Sequence, residues 1–211
     1  MKQLTNVNEG LEVDLRVFND RGKEIVVHKV PAKKIDDEVW IKPELVVKAK
    51  LDEIAEQYGI KSRQSMLMLL LEAPLGNFQE GFVFRKYNLN KMLFYQWKEL
   101  EKIGLGGTFD TYTFKAEKRG PVPTELSDDL YELADKKIIE ITGGRNSTLH
   151  VKLSREGENI ARSLWNEFDA SFQEISKRVK DKIMPLDPER LKEMVHTEYP
   201  EFRLKYTELD D

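Results

Sequence analysis

The chain has 211 residues, 40% of them hydrophobic and 34% charged, enough apolar material for one core with a helical appendage and too much for wholesale disorder. It contains no cysteine, which excludes disulfides, thiolate metal sites and a cysteine nucleophile. The formal net charge is −4, opposite in sign to the electrostatic footprint of most nucleic-acid binders.

Leu11, Val13, Leu15 and Val17 alternate with Glu12, Asp14 and Arg16, the period of a strand with one buried face. Asn19–Gly22 supplies turn formers and Glu24 to Val30 is rich in β-branched residues, so residues 1–42 are expected to be β-rich and to open with a β-hairpin. Pro43 is placed to begin a helix carrying Val47, Leu51, Ile54 and Tyr58, and Gly59 to end it. Ser62 can cap a second helix, whose Met66 to Leu71 run is apolar on every side and suits the centre of a core. Pro74 stops it.

From Asn88, Leu89, Met92, Leu93, Trp97, Leu100 and Ile103 form a helical stripe closed by Gly104. Thr111 to Ala116 reads as an extended piece, and Gly120-Pro121-Val122-Pro123 leads into a third helix expected over 124–137. Two strand-like runs, Lys137 to Ile141 and Leu149 to Leu153, flank the turn-rich 143–147 stretch as a hairpin. Ser154 then caps a long helix over 155–183, with Ile160, Leu164, Phe168, Phe172, Ile175, Val179 and Ile183 on one side and Pro185 beyond its end. At roughly 1.5 Å per residue it would run about 42 Å. Its stripe has two destinations: the final helix and N-terminal hairpin of the same chain, or a second copy in a homodimer. Asp187-Pro188 caps a last short helix with Leu191 and Met194 inside, and an acidic tail follows. From Asp181 to Asp211 there are nine acids against five bases, so the tail carries the whole negative charge.

The order predicts an α+β, mainly helical chain: a β-rich segment at 1–42, a winged helix-turn-helix core at 43–154, and a C-terminal helical extension at 155–211. The stretch Asn88-Leu89-Asn90-Lys91-Met92-Leu93-Phe94-Tyr95, the Gly106-Gly107 loop and Gly120-Pro121-Val122-Pro123 resemble the Panacea (SocA-like) antitoxin-associated domain over about residues 85–142. Leu89, Asn90, Lys91, Gly120, Pro121, Val122 and Pro123 carry its motif. Leu153-Ser154-Arg155-Glu156-Gly157 and Val195 to Pro200 look more like the generic prokaryotic winged-helix regulators, in which a Leu-Thr-x-x-Gly turn ends the wing. The first resemblance implies regulation through a toxin-like protein partner, the second through DNA, and neither implies a catalytic residue.

The expected third helix carries Glu125, Asp128, Asp129, Glu132 and Asp135, with Lys136 and Lys137 only at its end, and acids facing phosphates oppose DNA binding. They read instead as a solvated acidic face. Arg85, Lys86, Lys91, Lys98, Lys115, Lys118, Arg119 and Arg145 are the candidate basic surface for duplex DNA or a protein partner. His28, His150 and His196 lack metal-site spacing, and Gly104-Leu105-Gly106-Gly107 follows a helix without the Lys-Ser or Lys-Thr of a phosphate loop. No carboxylate lies in an apolar run. The expectation is therefore a non-enzymatic regulatory protein without metal or cofactor, antitoxin-like or adaptor-like through protein contact, or alternatively a dimeric DNA-binding transcription regulator. The N-terminus lacks a signal-peptide run and no segment approaches the roughly 20 apolar residues of a membrane span, so a cytoplasmic location with no membrane partner is expected.

Overall fold

The computed structural model describes residues 8–18, 24–35, 38–41, 52–53, 55–74, 83–103, 111–144, 149–168 and 170–203. They form an α+β arrangement that is mostly helical, with three small antiparallel sheets. Strand β1 (Asn8–Phe18) pairs with β2 (Glu24–Ile35), which pairs in turn with β3 (Glu38–Ile41). The register sets Leu11 opposite Ala32, Val13 opposite Val30, Leu15 opposite Val27 and Val17 opposite Ile25. The register shifts between Asn8 and Leu11 and again between Val13 and Leu15, where one strand carries an extra residue. The expected turn at Asn19–Gly22 and the expected helix start at Pro43 lie outside the described residues.

Residues 55–57 are helical and end at Gly59, whose φ of +62° is the left-handed conformation expected of it. Helix α1 (Ser62–Glu72) buries every residue from Gln64 to Leu71. Its cap is Lys61, not Ser62: the Lys61 N–H donates to Gln64 Oε1 at 2.9 Å, and Ser62 instead donates its hydroxyl to Asp52. Strand β4 (Phe84–Arg85) leads into α2 (Lys86–Lys102), which starts two residues before Asn88 and buries the whole run from Leu89 to Gln96. Gly104, its expected cap, lies outside the described residues.

Strands β5 (Phe114–Lys115) and β6 (Val122–Pro123) pair, so the Gly-Pro-Val-Pro motif supplies a strand as well as the approach to α3 (Leu126–Asp135). That helix ends with Lys137 at φ +57°, its N–H bonded to Ala134 O and that of Ile138 to Leu133 O, a left-handed cap filled without glycine. Strands β7 (Ile139–Thr142) and β8 (His150–Leu153) pair as expected, and β4 adds a third strand on the outer side of β8.

The long helix of the sequence reading is two helices, α4 (Arg155–Glu167) and α5 (Ala170–Ile183). The chain leaves helical geometry at Phe168, with ψ at 147°. Gln173 then donates its side-chain amide to the carbonyls of Trp165 and Phe168, satisfying the end that the break exposes. The physical reason is burial. Bent there, α4 lies along α1 and α5 along α2, and all seven residues of the stripe from Ile160 to Ile183 are buried in the chain's own core. The stripe offered to a second copy is therefore already covered. Lys180, 3% exposed, donates to Leu71 O and Ala73 O at the end of α1. Asp187 caps α6 (Pro188–Glu198) through the N–H groups of Glu189 and Arg190, with Pro188 at the first helical position, and a short 3₁₀ turn (Pro200–Phe202) follows. Among the described residues no helix is long and apolar enough to cross a membrane.

Candidate functional site, a cation-lined cleft

The two family-like motifs meet in space. Lys91 is fully buried in α2, and its Nζ donates to Pro121 O at 2.8 Å, with the Tyr87 ring 5.2 Å away. Gly120 makes the approach: its φ is +89°, its N–H closes a turn onto Glu117 O at 2.8 Å, and a Cβ there would stand 3.0 Å from Val195 Cγ1 and 3.3 Å from Lys91 Nζ. Both the backbone conformation and the missing side chain are needed. Leu89 and Pro123 are buried, Asn90 is 8% exposed, and Val122 is half-buried in β6.

Beside this junction opens a cleft of about 370 Å³, between the first turns of α2 and the turn at 117–120. Lys86, Tyr87, Asn90 and Lys91 line it from the helix, Glu117, Lys118 and Arg119 from the turn, and Val122 from β6. Four of the eight candidate basic residues are thus brought together: Lys86, Lys91, Lys118 and Arg119. Lys118 and Arg119 are exposed at the corner of the turn, whereas Lys86 is half-buried and donates to Ser127 Oγ at 2.5 Å. The other four lie elsewhere or do other work. Arg85 is exposed in β4 and precedes the cleft, and Lys115 is paired with Glu117 at 2.8 Å. Lys98 sits 4.2 Å from the Trp97 ring and pairs with Glu101 at 2.9 Å. Arg145 lies outside the described residues.

Burial corrects the reading of Lys91 as a surface cation. Removal from water disfavours the ammonium and pushes its pKa down to about 7, although Glu117 acts in the opposite direction. Lys86 is lowered by burial too, against Asp128. Tyr87 donates its hydroxyl to Pro188 O at 3.2 Å, and burial pushes it up to about 12.

The depressed Lys91 makes stability depend on pH. An unfolded lysine, near 10.5, holds its proton between pH 7 and 10.5 while the native side chain has released it, so stability rises with pH across that window. Wild type should gain on Lys91→Met by up to about 1.4 kcal/mol per pH unit, read from urea midpoints at neutral and alkaline pH. Parallel curves for the two chains would mean that the buried amine keeps its proton.

The acidic face of the third helix also needs correction. Asp129 is fully buried, and Arg63 grips both its oxygens, Nε to Oδ2 at 2.6 Å and Nη2 to Oδ1 at 3.0 Å. Gln64 and Lys61 add bonds to Oδ1 at 3.1 and 3.3 Å. Glu132 bonds Lys61 and Lys136, which hold its carboxyl down at about 2, and Glu125 accepts from Thr113 N. Three of the five acids therefore join α3 to its neighbours. What α3 leaves in solvent is Asp128, Tyr131 at 51% exposure and Asp135.

His196 is partly buried with an unpartnered Nε2, and burial, then Arg203, Lys192 and Lys91, lower its pKa. His150 is half-buried in β8, and nothing is described of the His28 side chain. Among the described residues no group of three His, Cys, Asp or Glu side chains could hold a metal ion. No protein-family model, curated protein or solved structure matches the chain.

Proposed function

We propose that the chain is a non-enzymatic regulatory protein of winged-helix type, antitoxin-like or adaptor-like, that works by protein contact. In this reading α3 is the third helix of the winged helix-turn-helix and β7 with β8 its wing. The observation that carries the reading is the solvent face of α3. Asp128, Tyr131 and Asp135 fall at helical spacing with an exposed aromatic between two carboxylates. Lys136, one of two lysines that could have offset them, is tied to Glu132 Oε1 at 2.8 Å and Gly59 O at 2.6 Å. A duplex would meet like charge along this helix, whereas a protein with a basic rim and an apolar pocket would meet complementary charge and a tyrosine anchor.

The competing reading, a dimeric DNA-binding transcription regulator, draws on Lys118 and Arg119 at the exposed turn. A salt series with mixed-sequence duplex DNA separates the two. The expected result is no binding at low salt. Binding that weakens steeply with salt and is lost in the Lys118→Glu/Arg119→Glu chain would overturn the protein-contact reading. On the positive side, co-expression should relieve the toxicity of a neighbouring gene's product, and Asp128→Lys/Tyr131→Ala should abolish that relief without changing the urea midpoint.

A further inference from the structure

The cleft beside Lys91 has features that joining α2 to the 117–120 turn does not require. Lys118 and Arg119 reach it from the turn and Lys86 from the helix, while the lining carboxylate, Glu117, is held by Lys115 at 2.8 Å. Asn90, 8% exposed, is one of the lining residues, and its buried side-chain oxygen has no hydrogen-bond partner. A buried acceptor left unpaired is costly, and native proteins keep few of them. Tyr87 and Val122 give the cleft an apolar wall.

We propose that this cleft binds a small phosphate monoester of mononucleotide size. Lys86, Lys118 and Arg119 receive the phosphate, and a hydroxyl or amine of the organic part donates to the Asn90 side-chain oxygen. A volume of about 370 Å³ falls in the range of small-molecule sites, which combine apolar walls with a few converging polar groups. Three cations suit a phosphate better than a singly charged carboxylate, and Arg119 can engage two phosphate oxygens at once. The first turn of α2 carries no acid, so the helix dipole adds to the attraction. The exposed Asp128 follows Ser127, which Lys86 touches, and discriminates against a long polyanion running past the site more than against a compact ligand inside it. No residue of α3 is among those that line the cleft, and Tyr131, the anchor of the protein-contact reading, is not used here, so failure here leaves that reading standing.

The test is calorimetric titration of the full chain with the common nucleoside monophosphates and with methyl phosphate. The comparison chains are Lys118→Ala/Arg119→Ala and, as a control on α6, Arg190→Ala/Lys192→Ala. All four side chains project from the surface or its margin, and thermal melts verify that both variants fold. The expected result is saturable binding of at least one nucleoside monophosphate, weakened about tenfold or more by Lys118→Ala/Arg119→Ala and unchanged in the control. Methyl phosphate, which has no donor for Asn90, should bind more weakly. Absence of saturable binding, equal binding by the cleft variant, or methyl phosphate matching the nucleotides would overturn the assignment. So would displacement of the nucleotide by duplex DNA at equal phosphate concentration, which would identify the surface as one for nucleic acid.

Discussion

Replacing Gly157 by alanine destabilises the chain by about 3 kcal/mol or more, although alanine is the better helix former by about 0.5–1 kcal/mol. Gly157 lies in the first turn of α4, where its N–H donates to the capping Ser154 Oγ at 3.0 Å. A Cβ at Gly157 would stand 1.8 Å from Ile138 O and 2.9 Å from Ile138 C. The obstacle is backbone and cannot rotate aside. The same carbonyl accepts from Ser154 N and Ser154 Oγ, both at 3.0 Å, so moving α4 away would break the bonds that seat it on the residue just before β7. Steric cost therefore outweighs propensity. Urea midpoints decide the matter, with Ser154→Ala as a milder comparison at about 1 kcal/mol. A Gly157→Ala chain as stable as wild type would mean that α4 does not approach β7 this closely.

The second large effect is at Asp129, whose replacement by alanine should cost about 3–5 kcal/mol, as when one partner of a buried ion pair is removed. The carboxylate is fully buried and meets Arg63, Lys61 and Gln64 at the start of α1, a helix with no acid in its own first turn. It therefore offsets the positive end of α1 as well as the guanidinium. Arg63 is only 17% exposed in its side chain, so deleting Asp129 removes a fully buried counter-charge from a largely buried cation. A double-mutant cycle of Asp129→Ala with Arg63→Met should return a coupling of about 2 kcal/mol. Additive effects would show that the pair is not energetically coupled.

Apart from the cap of α1, where Lys61 stands in place of Ser62, the local rules and the fold agree. Gly59 takes its left-handed conformation, Ser154 and Asp187 cap their helices, and Met66 to Leu71 lie at the centre of the core. The disagreements come from tertiary competition. Neither glycine nor proline marks the break at Phe168. A stripe repeating at threes and fours reads as one helix until the burial of both halves, against α1 and α2, bends it. Strand β4 is two residues long, too short for any periodicity, and exists because β8 offers it an edge. The lysines show the same limit at the cleft. Lys118 and Arg119 sit beside a glycine turn and read as surface, as they are. Lys91 lies between Asn90 and Met92 on a helix so covered that its stripe widens to the whole circumference. Only the carbonyl of Pro121, 30 positions away, shows where its ammonium goes. Asp129 reads as a solvated acid for the same reason, since its partners Arg63 and Gln64 are more than sixty residues earlier.

The bond from Lys180 to the end of α1 spans more than a hundred residues, and it sets an order of events during synthesis. From Met66 to Leu71, α1 is apolar around its whole circumference and the helix is covered by α4 and α5, both made long after it leaves the ribosome. Until residue 183 has emerged, its leucines and methionines have no permanent cover. Non-local closure of this kind is slow and exposes sticky intermediates. Truncation before α5 would consequently leave an aggregation-prone chain rather than a smaller folded one, and a holdase chaperone would find its natural purchase on the stretch from Met66 to Leu71.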